Sequence, residues 1–135
     1  MEPCVKKNGI LNSDISRILS YMRHTDTLCI GDCGLPCPDE TELIDISLKF
    51  GTPSFLDVLK AVLSDMKVEK ITLAEEIKDK NPAVLAGIRE LTGNIKTEFV
   101  SHEDLKHKLK DCKAVVRTGE TTPYANIILQ SACIF

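Results

Sequence analysis

Short apolar runs alternate with capped amphipathic segments along nearly the whole chain, and that alternation leaves few architectures open. Thr27 to Gly31, Leu43 to Leu48, Val68 to Ala74, Ile95 to Val100, Ala114 to Val116 and Ile127 to Leu129 read as strands. Helices are announced between them by local signals. Asn12 caps a helix from about Ser13 to Arg23, striped with Ile15, Ile18, Leu19 and Met22. Thr52-Pro53 and Asn81-Pro82 each read as a cap followed by proline at the first helical position. The first of these helices carries Phe55, Leu59, Val62 and Met66 on one face, and the second runs to about Leu91, before Gly93. Ser101-His102-Glu103-Asp104 fits a capping box and opens a helix to about Lys110. Strands that alternate with helices build parallel βαβ units. The expectation is an α/β fold: one layered domain over residues 1–135, with a mostly parallel six-stranded sheet flanked by helices.

In such a sheet, ligands bind outside the carboxyl ends of the parallel strands. Asp32, His102 and Gly119-Glu120 all follow expected strands, so they are candidates for one shared site. Two polar clusters stand out: His24-Thr25-Asp26 running on to Asp32-Cys33-Gly34-Leu35-Pro36, and Arg117 to Asn126. If the clusters meet in space, the chain is a small enzyme acting on a polar metabolite. His24 can exchange protons near neutral pH, with the carboxylates of Asp26 and Asp32 close in sequence. An exposed histidine at a helix end needs no functional explanation, so His24 alone also admits a plain surface role. Tyr124 and Asn126 combine a phenol and an amide that can serve vicinal hydroxyl groups, or else they simply follow a turn at Pro123. Arg117 and Glu120 are expected either to serve the site or to pair with each other and order the turn. His107, between two lysines, reads as surface.

Composition excludes several classes. The net charge is -3 and the 17 basic residues are scattered, so no basic stripe is available to follow nucleic acid. No apolar run approaches membrane-spanning length and the N-terminus lacks a signal-peptide core, so a cytoplasmic protein without a membrane partner is expected. The six cysteines are then reduced thiols. Cys29, Cys33 and Cys37 are spaced by four, form no C-x-x-C pair and are interrupted by Pro36, so no metal site is expected. Dinucleotide fingerprint, P-loop and nucleophile elbow are all absent from the sequence.

The stretches Gly9 to Ser13, His24 to Asp26, Asp32 to Pro36, Val68-Glu69-Lys70, Ser101 to Glu103, Arg117 to Glu120 and Pro123 to Asn126 together resemble the D-ribose pyranase family of sugar mutarotases. Order and spacing agree over nearly the whole chain. The resemblance implies an isomerase that interconverts the pyranose and furanose forms of D-ribose and feeds ribose phosphorylation, with no cofactor. It implies His24 as the catalytic acid, and Asp32, His102, Tyr124, Ala125 and Asn126 as the sugar-binding residues. It also implies a ring-shaped homo-oligomer, often a decamer, with sites at subunit contacts. Two other readings stay open: a mutarotase for another sugar such as L-fucose, and a non-catalytic sugar-binding module.

Overall fold

A computed structural model describes residues 5–135. In chain order the elements are α1 (Ser13–Tyr21), β1 (Thr27–Gly31), β2 (Glu42–Asp45), α2 (Phe55–Leu63), β3 (Val68–Ala74), α3 (Ile77–Lys80), α4 (Pro82–Thr92), β4 (Lys96–Val100), α5 (His102–Lys108), a 3-10 turn (Leu109–Asp111), β5 (Ala114–Arg117) and β6 (Ile127–Ser131). The six strands form one sheet in the order β2-β5-β1-β6-β3-β4. β2, β5 and β1 pair in parallel, as do β3 and β4. β6 runs antiparallel to both of its neighbours, β1 and β3. Five strands therefore point one way and β6 the other, which bears out the expected α/β class with its mostly parallel sheet.

Strand alternation sorts the apolar residues into two layers. Leu28, Ile30, Ile71, Leu73, Val116, Ile127 and Leu129 face one side, where they pack with Ile15 and Ile18 of α1, Phe55, Leu59 and Val62 of α2, and Leu85 and Ile88 of α4. Cys29, Ala74, Val115 and Ile128 face the other, against Leu35, Leu105, Leu109 and Cys112. The first layer is the larger. Burial in the second pushes the Cys29 and Cys112 thiols above their ordinary range, so both behave as small apolar fillers. Cys4 lies outside the described residues. None of the helices among these residues is long and apolar enough to cross a membrane.

The caps act as read, with one correction. Asn12 accepts from Ile15 N, Asn81 from Val84 N and Ser101 from Asp104 N, each closing a helix start. Pro53, however, precedes α2 instead of opening it. Ser54 is the cap, accepting from Asp57 N, and Phe55 is the first helical residue. α1 stops at Tyr21, β2 at Asp45 and α5 at Lys108, each short of the expected end. α3 is a single short turn with no apolar stripe long enough to register in sequence.

Phe55 is fully buried at the start of α2. Truncating it leaves a cavity in the larger layer, so Phe55→Ala is expected to cost about 3–5 kcal/mol. A urea unfolding midpoint equal to that of wild type would contradict this packing.

Candidate functional site

The parallel direction of β1, β2, β3, β4 and β5 gathers their carboxyl ends on one edge of the sheet, and the opposite run of β6 brings its amino end there too. After β5, residues 118–126 must pass over the end of β1 to reach β6, because β1 lies between those two strands. The passage sets Asn126 against the residue that follows β1. Asp32 N donates to Asn126 Oδ1 at 2.8 Å, and Thr118 Oγ1 donates to Gly31 O at 2.8 Å. Gly31 is required by this close approach: a Cβ there would meet Leu35 Cδ2 at 2.6 Å and Asn126 Oδ1 at 3.0 Å.

His102, the first residue of α5 after β4, reaches the same edge. Its ring meets that of Tyr124 edge-on, with centroids 5.1 Å apart and planes at 81°. Its backbone N–H donates to the carboxylate of Glu76, at the end of β3, at 3.0 and 3.2 Å. Tyr124 adopts φ 58, a left-handed conformation unusual for a side chain of its size. Its loop is held from below by Asn81, whose Nδ2 donates to Thr122 Oγ1 at 2.9 Å and to Pro123 O at 2.8 Å. Glu120 accepts from Phe55 N at 2.9 Å and from Thr122 Oγ1 at 2.7 Å, joining the loop to the start of α2.

Among the described residues, two buried side-chain polar atoms have no protein partner: His102 Nδ1 and Asn126 Nδ2. Both belong to this edge. Buried polar atoms in native proteins are almost always paired, so two orphans in one place make this edge the candidate site for a polar ligand. Asp32 adds a carboxylate. One oxygen, Oδ1, accepts from Gly34 N at 2.9 Å, and burial pushes the group above its ordinary value of 3.8, against the opposing pull of Gly34 N–H, Asn126 and His102. The structure thus brings together Asp32, His102, Tyr124, Ala125 and Asn126.

His24 is not among them. It lies before β1, at the opposite edge, exposed and hydrogen-bonded through Nε2 to Glu69 Oε1 at 2.7 Å. The two halves of the first polar cluster are therefore split by the full length of β1, about 17 Å for five extended residues. Asp26, the carboxylate nearest His24 in sequence, accepts from Arg23 N instead. The expected Arg117–Glu120 pair is also replaced: Arg117 bonds Cys33 O and Asp45 Oδ2, each at 2.9 Å, while Glu120 serves α2. Reading by sequence neighbourhood favoured partners that the chain direction then separates. Glu69, Glu76, Asn81 and Thr118 were not singled out individually for the site, although Glu69 lay within the Val68-Glu69-Lys70 stretch and Thr118 within the second polar cluster.

Residues 5–134 match the model of the RbsD / FucU transport protein family. The chain belongs to this family. D-ribose pyranase of Clostridium perfringens (strain SM101 / Type A) is 53% identical to it over 131 residues, which cover 97% of this chain and 100% of that relative. D-ribose pyranase of Halalkalibacterium halodurans is 54% identical over 132 residues, with coverage of 97% and 100%. The solved structure of Bacillus subtilis RbsD complexed with D-ribose matches at a TM-score of 0.95 and 46% identity, over 97% of this chain and 100% of that one. The fucose mutarotase of Streptococcus pneumoniae in complex with L-fucose has a TM-score of 0.79 at 24% identity, covering 93% and 95%, and shares the fold. Membership in the family agrees with the resemblance carried by the motif stretches.

The raised Asp32 carboxyl has a consequence for stability. The folded state holds its proton more tightly than the unfolded chain, so stability falls as pH rises from the ordinary value of 3.8 through the higher native value, and the penalty is complete above it. Asp32→Asn removes the charge and keeps an oxygen for Gly34 N–H. The variant is expected to be at least as stable as wild type at pH 7 and to gain no such advantage below pH 3.8. Thermal unfolding across that range checks this, and a variant less stable than wild type at pH 7 would show that the carboxylate is not under strain.

Proposed function

We propose that the chain is an intramolecular isomerase that interconverts the pyranose and furanose forms of D-ribose, a D-ribose pyranase. The observation that carries this is the pair of orphaned atoms, His102 Nδ1 and Asn126 Nδ2, beside Asp32 and the Tyr124 ring. An amide donor, an imidazole nitrogen and a carboxylate around one aromatic wall suit the vicinal hydroxyls of a sugar. Relatives named D-ribose pyranase at 53% and 54% identity, and the likeness to RbsD complexed with D-ribose, support ribose over L-fucose, whose mutarotase is far less similar.

The chemistry asks little more than positioned proton transfer. Ring opening delivers a proton to the ring oxygen and removes one from the anomeric hydroxyl, and reclosure through another hydroxyl gives the second ring form. In this reading Asp32, His102 and the Tyr124 to Asn126 segment hold the sugar, and an imidazole supplies the proton. His24 is that imidazole. It cannot reach the site of its own chain, so it serves a neighbouring copy.

Two exposed apolar surfaces favour such an assembly. Ile134 and Phe135, 87% and 103% exposed, lie on the His24 edge, and Ile134 lines the same recess as His24. Leu48 and Phe50, 78% and 85% exposed, lie in the loop that leans on Gly119 at the opposite, sugar-binding edge. Two different apolar patches at opposite ends suit a head-to-tail contact, which closes into a ring when the rotation permits. We therefore read the active form as a ring-shaped homo-oligomer, a decamer of two rings being the family's usual form, working in the cytoplasm.

One-dimensional NMR exchange spectroscopy on D-ribose, L-fucose, galactose and glucose tests the activity. Enhanced exchange between ribose pyranose and furanose signals is expected; binding without exchange for every sugar would leave a sugar-binding module instead. His24→Ala is expected to stay folded and slow ribose exchange roughly 100-fold or more. Asp32→Asn is expected chiefly to weaken ribose binding. Sedimentation velocity is expected to show an oligomer that loses both assembly and turnover when residues 132–135 are deleted, and a fully active monomer would refute the shared site.

A further inference from the structure

Glu69, in the Val68-Glu69-Lys70 stretch, places a carboxylate against the His24 ring, at the edge of the sheet opposite Asp32 and His102. Val68 pairs with Ser131 and Lys70 with Gln130, which are consecutive on β6, so Glu69 is the extra residue of a β-bulge. A bulged residue leaves the strict alternation of its strand, and its side chain is re-aimed. Here Glu69 Oε1 meets His24 Nε2 at 2.7 Å, while Oε2 accepts from Gln130 Nε2 at 2.9 Å. The carboxylate is clamped at both oxygens.

The turn that presents His24 is fixed as firmly. Thr25 takes φ 72, rare for a β-branched residue. Thr25 N donates to Ser131 O at 3.0 Å and Ser131 N to Asp26 O at 2.9 Å, while the Ser131 hydroxyl donates to Arg23 O. Arg23, Asp65, Lys67 and Cys133 line the same recess as His24. Among the described residues, Glu69 is the group hydrogen-bonded to the ring. That bond is the foremost reason the Glu69 carboxyl lies below its ordinary range, so it remains an anion through neutral pH.

A carboxylate accepts hydrogen bonds and cannot donate them, so Nε2 carries a proton whether the ring is neutral or charged. Nδ1 is the nitrogen left to gain and lose one. We infer that Glu69 is a positioning residue for His24: it fixes the ring with Nε2 protonated and Nδ1 as the atom that exchanges a proton with the sugar, an assignment that rests on the acid–base role proposed for His24. Gln130 holds Glu69 in turn.

The test combines nitrogen NMR of histidine-labelled protein with the ribose exchange assay, the His24 signals being assigned by their loss in His24→Asn. In wild type the neutral His24 ring is expected wholly as the Nε2–H tautomer. Glu69→Ala is expected to release a measurable Nδ1–H population and to slow exchange at saturating ribose roughly 10-fold, with ribose affinity unchanged. Glu69→Gln keeps an oxygen for Nε2–H once the Gln130 amide turns over, and is expected to restore the tautomer and most of the rate. An Nδ1–H tautomer in active wild type, or a Glu69→Ala protein with wild-type tautomer and rate, overturns the role of Glu69 alone. Wild type that shows the Nε2–H tautomer but no ribose exchange refutes instead the proposed activity, and with it the proton transfer at Nδ1.

Discussion

The edge where the parallel strands end is organised around one half-buried bond, that from Asp32 N to Asn126 Oδ1. It exists because β6 enters the sheet antiparallel between β1 and β3, which forces residues 118–126 across the end of β1. The amide oxygen of Asn126 is used in fixing the turn after β1, and its Nδ2 is left without a protein partner in a fully buried residue. A polar group so placed is expensive unless satisfied, and its geometry is correspondingly unique. Gly31 has no room for a side chain between Leu35 and Asn126 Oδ1, and the Thr118 hydroxyl is anchored beside the bond on Gly31 O. The arrangement of the candidate site follows from how the last strand is inserted.

The same insertion separates the two kinds of chemistry. Asp32, His102, Tyr124 and Asn126 collect where parallel strands end and β6 begins; His24 and Glu69 collect where β6 ends and β3 begins. Ser131 and Gln130, at the far end of β6, fix the His24 turn and Glu69, while Asn126, just before its start, fixes Asp32. One strand therefore organises both edges. The rigid sheet between them prevents the edges from meeting within one chain, and the exposed apolar residues at each edge give association something to bury, at roughly 1.5–3 kcal/mol for each large side chain fully covered.

What was legible in the sequence follows from what each signal encodes. Caps at Asn12, Asn81 and Ser101 were readable because their hydrogen bonds close within three residues. The shared edge of Asp32 and His102 was readable because parallel strand ends in an α/β sheet gather there, whereas Asn126 stood out only as a member of its polar cluster. The direction of β6 was not, since Ile127-Ile128-Leu129 carries the same apolar run whichever way it points. The separation of His24 from Asp32 was hidden for a related reason: eight residues look near in sequence, but five of them are an extended strand. Pro53 was misplaced because cap-then-proline is also what a turn just before a helix looks like. Glu69 could not be placed beside His24 without the bulge, since regular alternation does not predict where an extra residue turns.

Local rules are broken at two edges of the sheet and largely kept elsewhere. The two non-glycine residues with positive φ among those described are Thr25, beside His24, and Tyr124, beside His102. Each such conformation costs of order 1–3 kcal/mol and persists only where surrounding bonds over-determine it. Ser131 and Asp26 do so for Thr25; Asn81, through Thr122 and Pro123, does so for Tyr124. The orphaned His102 and Asn126 atoms and the raised Asp32 carboxyl lie at the second of these places. A core built from Leu, Ile and Val in regular alternation has no use for such costs. Their concentration at two edges that one chain cannot join is the physical motive for the proposal that both edges belong to one site shared between copies.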